Sequence, residues 1–167
     1  MSGQVLVAYA SRHGATAEVA AEIGRVLAEA GLSVDVRPVA EVEGLAGYQA
    51  VVLGAPLYSA EWMPEASAFV RAHARALQAV PTACFVLAIR LRDDREDLRQ
   101  AVLGAISTER VLLQPRSVGL FAGALHYDRL SPIVRLQAET KGLPEGDFRD
   151  WEAIRSWAGE LPAVLGN

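Results

Sequence analysis

Hydrophobic runs and helical periodicities alternate along this chain. Three short segments are apolar almost throughout: residues 5–10, 50–55 and 82–89. Runs of this length are typical of β-strands that are covered on both faces. After the first run, Val19, Ile23 and Val26 recur at the spacing of one helix face, and Glu18 lies between them at a polar position. The chain is therefore predicted to alternate between buried strands and amphipathic helices.

The remaining elements give weaker signals. Val34 and Val36 alternate with polar residues before Pro38, which favours a strand near the sheet edge. A further strand is predicted over residues 117–124. Helices are predicted to begin near residue 15, near residue 64, after residue 94, and near Asp147 or Asp150. Residues 125–146 show no clear periodicity and are predicted to form an irregular insert.

Length and charge narrow the class of protein. The chain has 167 residues, 16 Lys and Arg against 20 Asp and Glu, and one cysteine, Cys84. These values fit a single domain over residues 1–167 and give no basic excess for nucleic-acid binding. A lone cysteine in an apolar run favours a small buried residue and a reducing, cytoplasmic location. The apolar runs are shorter than the about 18 residues that span a bilayer, so no membrane-spanning segment is expected.

Strands that alternate with helices through short loops predict a parallel sheet with helices on both faces. Such sheets bind ligands beyond the carboxyl ends of their strands. The loops after the first, third, fourth and fifth strands are therefore where a binding site is expected. Neither a metal site nor a catalytic side chain is predicted, because no nucleophile or acid–base pair stands out in the sequence.

A buried strand is joined to a helix by the first loop, Ser11-Arg12-His13-Gly14-Ala15-Thr16. This loop offers two hydroxyls, a glycine that allows close backbone approach, and the free amides of a helix N-terminus, which together suit a phosphate. It lacks both the G-x-G-x-x-G of dinucleotide folds and the P-loop pattern, so a terminal, non-reacting phosphate is expected. In the alternative interpretation, Ser11 and Thr16 only cap the helix.

Four segments of the chain resemble those of flavin-binding proteins. The Ser-x-x-Gly-x-Thr pattern of the first loop resembles the FMN phosphate loop of flavodoxins, and residues 54–58 (GAPLY) resemble their second flavin loop. Residues 122–127 (AGALHY) and 147–152 (DFRDWE) look like the corresponding segments of the flavodoxin-like, menaquinone-dependent protoporphyrinogen oxidases of bacteria. The resemblance extends over essentially the whole chain. It departs from that family at residues 125–146, which are shorter and less aromatic or basic than the family's insert.

The resemblance implies an α/β fold, a flavodoxin-like doubly wound sheet of five parallel strands in the order 2-1-3-4-5, that binds FMN noncovalently. It assigns the FMN phosphate to the first loop: Ser11, Arg12, His13, Gly14, Ala15 and Thr16. It assigns the isoalloxazine ring to residues at the ends of later strands: Pro56, Leu57, Tyr58, Ser59, Ala60, Ala88, Ile89, Arg90 and Tyr127. Backbone amides at the exit of the fourth strand would face the pyrimidine side of the ring.

Several of these side chains have two interpretations. Tyr58 either stacks on the flavin or packs in the core, and Trp62 either covers the ring edge or packs beneath the loop. His13 either donates to the phosphate or lies in the loop without a special partner. Arginines after the fourth strand and in the insert either bind substrate carboxylates or form a solvated surface: Arg90, Arg92, Arg95, Arg129 and Arg135.

The resemblance implies an oxidoreductase of haem biosynthesis that passes electrons from a porphyrinogen through FMN to menaquinone. Two alternatives are an electron-transfer flavodoxin with protein redox partners and no organic substrate, and an α/β interaction domain without flavin. Acidic surroundings favour a low-potential electron carrier, whereas nearby arginines favour the enzyme. Residues 130–136 have the apolar side chains for a peripheral membrane contact, but packing against the body of the protein is the expectation.

Overall fold

The structure is a computed structural model that describes residues 3–166. Its main sheet contains five parallel strands: β1 (Gln4–Tyr9), β2 (Val34–Pro38), β3 (Tyr48–Tyr58), β5 (Thr82–Ala88) and β6 (Val118–Ala122). Their order is β2-β1-β3-β5-β6. The short strand β4 (Glu61–Trp62) pairs antiparallel with the end of β3. When only the parallel strands are counted, the predicted order 2-1-3-4-5 is confirmed.

Helices lie on both faces of the sheet, as predicted. Within residues 3–166 they are α1 (Ala15–Glu29), α2 (Pro64–Ala72), α3 (Ala74–Gln78), α4 (Glu96–Ala105), α5 (Ser107–Leu113), α6 (Pro132–Thr140) and α7 (Trp151–Leu165). The first and last helices share one buried cluster, which includes Ile23 and Ile154. Helices α2 to α5 contribute to the cluster on the opposite face, for example through Phe69 and Val102.

The three central strands are buried on both faces because their apolar residues are continuous rather than alternating. Leu6 and Leu53 point into one cluster, whereas Val7, Val52 and Phe85 point into the other. This alternation follows from the two-residue period of a strand. The edge strand β2 pairs only with β1 among the described strands, which agrees with its alternating sequence.

One predicted helix is divided in the structure. The helix that starts at Pro64 is interrupted at His73, where the backbone leaves helical geometry (φ −115°, ψ 17°) and α3 begins. The helix predicted after residue 94 starts at Glu96 and ends at Ala105, and α5 follows it as a further helix. The closing helix starts as predicted, because the Asp150 side chain accepts a hydrogen bond from the amide of Ala153 at 3.0 Å.

The prediction that residues 125–146 are irregular is wrong. The short strands β7 (Ala124–Leu125) and β8 (Gly146–Asp147) pair antiparallel and enclose helix α6. Pro132 starts this helix rather than breaking it, because the first turn needs no amide from that residue. The Ser131 hydroxyl caps it by accepting from the amide of Val134 at 3.3 Å. We call residues 124–150 the strap.

The expected packing of apolar strap residues against the body is also wrong. Ile133 and Leu136 are 73% and 64% exposed, and Ala138 is the buried residue of α6. The helix therefore presents apolar side chains to solvent. Of the helices in residues 3–166, none combines the length and hydropathy needed to cross a membrane.

Candidate functional site

The carboxyl ends of β1, β3 and β5 bring the predicted loops to one edge of the sheet. The amide of Ala10 donates to the carbonyl of Gly54 at 3.0 Å, which fixes the first loop beside the end of β3. The amide of Gly123 donates to the carbonyl of Ala88 at 3.3 Å, so the exits of β5 and β6 are adjacent. Parallel pairing thus brings together segments that are far apart in sequence.

The first loop ends in an exposed helix N-terminus. Gly14 is the N-cap of α1 with φ +92°, a left-handed backbone conformation that favours glycine. No side chain of the described residues caps this helix. The Ser11 hydroxyl instead accepts from the amide of Gly14 at 3.1 Å. The alternative in which Ser11 and Thr16 only cap the helix is therefore not observed.

The donors of this turn fit a phosphate. The first intrahelical bond runs from the amide of Glu18 to the carbonyl of Gly14, which leaves the preceding amides, from Ala15, Thr16 and Ala17, without helical acceptors. Thr16 is only 2% exposed. Within the described chain, a Cβ added at Gly14 would meet no heavy atom within 4 Å. Amides and hydroxyls around open space are the donor set that binds a dianion.

His13 lies half-buried in the same loop. Burial lowers its pKa from the usual value, and the neighbouring guanidinium of Arg12 lowers it further. The imidazole is therefore neutral near pH 7 and has one N–H to donate. The carbonyl of His13 accepts from Nη1 of Arg129, at 3.4 Å.

The second loop is a tight hairpin between β3 and β4. Leu57 pairs with Trp62, and the two turn residues, Ser59 and Ala60, have positive φ values of 50° and 64°. Left-handed geometry costs roughly 1–2 kcal/mol for each non-glycine residue, so the flanking pairs must hold the turn. Trp62 packs beneath the loop, where its indole N–H donates to the carbonyl of Ala55 at 2.9 Å.

Arg12 joins the first and second loops. Its guanidinium lies 5.1 Å from the centre of the Tyr58 ring and 3.8 Å from the Glu65 carboxylate. Tyr58 is half-buried, and burial raises the pKa of its hydroxyl. Its ring also packs against one of the buried clusters. The predicted phosphate loop and the predicted ring loop are thus in direct contact.

Arg149, which sequence reasoning did not single out, contacts the same helix end from the strap. Its side chain is only 7% exposed. Nε and Nη2 donate to the carboxylate of Asp147 at 2.9 and 2.7 Å, and Nη1 donates to the carbonyl of Ala15 at 3.2 Å and to Glu18 at 2.9 Å. In the sequence, the signal that could have indicated this residue was its position between two aspartates in residues 147–150.

Comparison with known proteins agrees with this geometry. The family model described as the flavodoxin domain matches residues 6–140. The chain belongs to the flavodoxin domain family. A protoporphyrinogen IX dehydrogenase (quinone) of Leishmania major is 29% identical over 98% of this chain and 76% of its own length. The protein of the same name from Escherichia coli strain K12 is 25% identical over 95% of this chain and 94% of its own length.

Solved structures of flavodoxins share the fold. A flavodoxin from Pseudomonas aeruginosa has a TM-score of 0.61 at 17% identity, covering 98% of this chain and 99% of its own. A flavodoxin from the domain Archaea has a TM-score of 0.57 at 12% identity and covers 98% and 99% of the two chains. These likenesses confirm the arrangement of strands and helices predicted for this flavodoxin domain.

Two predicted ring residues of the flavodoxin domain belong to segments outside the first two loops. Arg90 is exposed in the 3₁₀ turn Ile89–Arg92 that follows β5. Tyr127 makes its hydrogen bonds inside the strap: its amide donates to Glu145 at 2.8 Å and its hydroxyl donates to the carbonyl of Leu143. Whether Tyr127 contacts a ring therefore stays a prediction.

Cys84 belongs to the packing of this flavodoxin domain rather than to its site. The thiol is fully buried in β5, and burial raises its pKa to about 12. It is therefore an unreactive small apolar side chain, as the sequence indicated. No cluster of His, Cys, Asp and Glu suited to a metal ion is found in residues 3–166.

Proposed function

We propose that this chain binds FMN noncovalently at the carboxyl edge of its sheet. The observation that carries the proposal is the uncapped first turn of α1 beside the Arg12–Tyr58 contact. The amides of Ala15 and Thr16, with the hydroxyls of Ser11 and Thr16, would hold the phosphate. A single phosphate fits because the turn offers donors without the lysine used in phosphoryl transfer.

The second loop and the exit of β5 would hold the flavin ring. Tyr58 offers an aromatic face beside the phosphate turn, with Pro56, Leu57, Ser59 and Ala60 around it. Ala88, Ile89 and Arg90 would supply backbone donors to the polar side of the ring, and Tyr127 would approach from the strap. FMN, when bound, supplies the chemistry of hydrogen abstraction and electron transfer. The protein contributes binding and orientation.

We further propose that the chain is an oxidoreductase that oxidises a porphyrinogen and reduces a quinone, with menaquinone as the acceptor in haem biosynthesis. Relatives along nearly the whole chain carry the name protoporphyrinogen IX dehydrogenase (quinone). Arg90 and Arg129 form no ion pair with a carboxylate among residues 3–166. Such guanidiniums suit the carboxylate groups of a porphyrinogen, which they would bind in bidentate fashion.

A quinone acceptor resides in a lipid bilayer, so the enzyme must approach a membrane surface. The exposed apolar residues of α6 lie on the strap that also contacts the first loop through Arg129. An exposed apolar helix face suits the interfacial region of a bilayer. We propose that α6 makes this peripheral contact.

The test begins with the absorbance spectrum of the purified protein and its affinities for FMN and riboflavin. A yellow protein that binds FMN more tightly than riboflavin is expected, because only FMN carries the phosphate. A colourless protein that does not bind added FMN would contradict the proposed cofactor site.

Turnover then separates the enzyme from an electron carrier. Protoporphyrinogen should reduce the bound flavin, and a menaquinone analogue should reoxidise it. A flavin that exchanges electrons with a protein donor but is not reduced by protoporphyrinogen would identify an electron-transfer flavodoxin and would contradict the proposed activity. The spectrum and the turnover assay therefore test the cofactor and the substrate separately.

A further inference from the structure

The carbonyl that Arg149 binds belongs to a peptide group of the proposed phosphate turn. The carbonyl of Ala15 and the amide N–H of Thr16 are the two ends of one planar peptide unit. Nη1 of Arg149 donates to this carbonyl at 3.2 Å. A donor at the carbonyl polarises the unit and strengthens the N–H as a donor at its other end. The guanidinium therefore acts on the Thr16 amide without occupying the space above it.

The rest of the Arg149 side chain holds it in this position. Asp147 binds Nε and Nη2 together, and Glu18 shares Nη1 with the Ala15 carbonyl. The Trp151 ring covers the guanidinium at 4.8 Å. An arginine with bidentate and stacking partners is fixed in orientation more firmly than a lysine would be. Its near-complete burial leaves it unavailable as a direct ligand, so it acts through the backbone.

We infer that Arg149 is a positioning residue, which sets the orientation and donor strength of the Thr16 amide and so increases the affinity of the turn for the FMN phosphate. This inference rests on the proposed function, because it assumes that the turn holds a phosphate. Residues 147–152 would then contribute to cofactor binding although they lie outside the first loop.

A second arginine of the strap acts on the same loop in the same way. Arg129 donates to the carbonyl of His13, which shares its peptide unit with the amide of Gly14. That amide donates to the Ser11 hydroxyl, which keeps its own hydrogen for a ligand. The longer distance, 3.4 Å, and the exposed position of Arg129 make this the weaker contact.

The experiment compares Arg149→Met, Arg149→Lys and Arg155→Met in their affinity for FMN and riboflavin. Arg155 is the matched control, since it joins α7 to α1 through Glu22 at 2.7 Å without reaching the first turn. Arg149→Met should weaken FMN binding about two- to fivefold more than riboflavin binding, the size expected when a charge-assisted hydrogen bond loses about 10–30% of its strength. Arg149→Lys should restore part of this loss, and Arg155→Met should change neither affinity.

The ratio of the two affinities separates positioning from general damage to the fold. A purely structural role would weaken FMN and riboflavin binding by the same factor, and that result would overturn the inference. If Arg149→Met does not fold, circular dichroism will show it and Arg149→Lys alone decides: an unchanged ratio contradicts the inference. A wild-type protein with no preference for FMN over riboflavin would instead contradict the proposed phosphate site.

Discussion

The central sheet and the strap are held in place by different kinds of interaction. Strands β1, β3 and β5 are buried on both faces by apolar side chains. The strap contacts the first loop through guanidinium groups, Arg149 on the Ala15 carbonyl and Arg129 on the His13 carbonyl. Its helix α6 exposes its largest apolar residues.

Because of this difference, the sheet and the strap contribute unequally to folding stability and to ligand binding. Hydrophobic burial is non-directional and large, so the sheet fixes where the strand ends lie. Guanidinium hydrogen bonds are directional and few. The strap therefore orients the first loop but contributes little to the free energy of unfolding. Substitutions in the sheet should therefore change the free energy of unfolding, whereas substitutions in the strap should change binding more than folding.

The largest effect is expected for Phe85→Ala in β5. Phe85 is fully buried, and its ring occupies the space above Gly54 and packs edge-on against Trp157 at 6.1 Å. Removal of the ring should lower the free energy of unfolding by about 3–5 kcal/mol, because it leaves a cavity. Urea unfolding measures this loss. A loss below about 1 kcal/mol would show that the core can rearrange and would remove the contrast with the strap.

A smaller effect on folding, but a specific one on binding, is expected for Gly14→Ala. Gly31 is the matched control: it lies beyond the other end of α1, has φ +95° against +92°, and likewise has no neighbour within 4 Å among the described residues. Each substitution should lower the free energy of unfolding by about 1–2 kcal/mol through backbone strain. Only Gly14→Ala should weaken FMN binding. Equal FMN affinities in the two variants would contradict the phosphate assignment.

An effect that is present near neutral pH and lost in acid is expected for Asp147→Asn in the strap. Hydrogen bonds from Arg149 lower the pKa of Asp147 from 3.8 to about 2. A lowered carboxyl pKa stabilises the fold above pH 4, and this contribution disappears as the pH falls from 4 to 2. Because the side chain is partly exposed, the contribution should be below about 1 kcal/mol. Urea unfolding of both proteins at pH 6 and pH 2.5 should show a difference that shrinks in acid; a constant difference would contradict the ion pair.

The sheet was predictable from sequence because its signals are local and strong. Continuous apolar runs identified β1, β3 and β5, and the alternation of Val34 and Val36 identified the edge strand. The strap was not predictable in this way, because α6 spans only nine residues, Pro132–Thr140. Two turns of helix give too short a periodic pattern to be distinguished from an irregular segment.

The site was partly predictable for a related reason. Residues 11–16 are contiguous and carry glycine and hydroxyls at recognisable spacing, so the sequence directly indicates the first loop as a candidate phosphate site. Arg149 acts on a carbonyl that lies 134 positions away along the chain. No local pattern encodes such a contact, since it depends on α7 packing beside α1. The geometry of the fold is needed to find positioning residues of this kind.

The smallest effect on folding is expected for Ile133→Ser combined with Leu136→Ser in α6. Both side chains are exposed, so the free energy of unfolding should change by less than about 0.5 kcal/mol. Co-sedimentation with anionic vesicles that contain menaquinone should fall about tenfold or more, because each apolar side chain contributes roughly 1.5–3 kcal/mol when buried. Val111→Ser on α5 is the matched control, with comparable exposure outside the strap.

Vesicle binding tests whether these two side chains enter a membrane, and unfolding tests whether they pack in the core. The two measurements together therefore decide the role of α6. If the double variant binds vesicles as well as the wild type, α6 is not the membrane contact. If Val111→Ser lowers binding equally, the interaction is a general property of exposed apolar residues. If the double variant instead loses several kcal/mol of stability, α6 is part of the core and the division between sheet and strap fails.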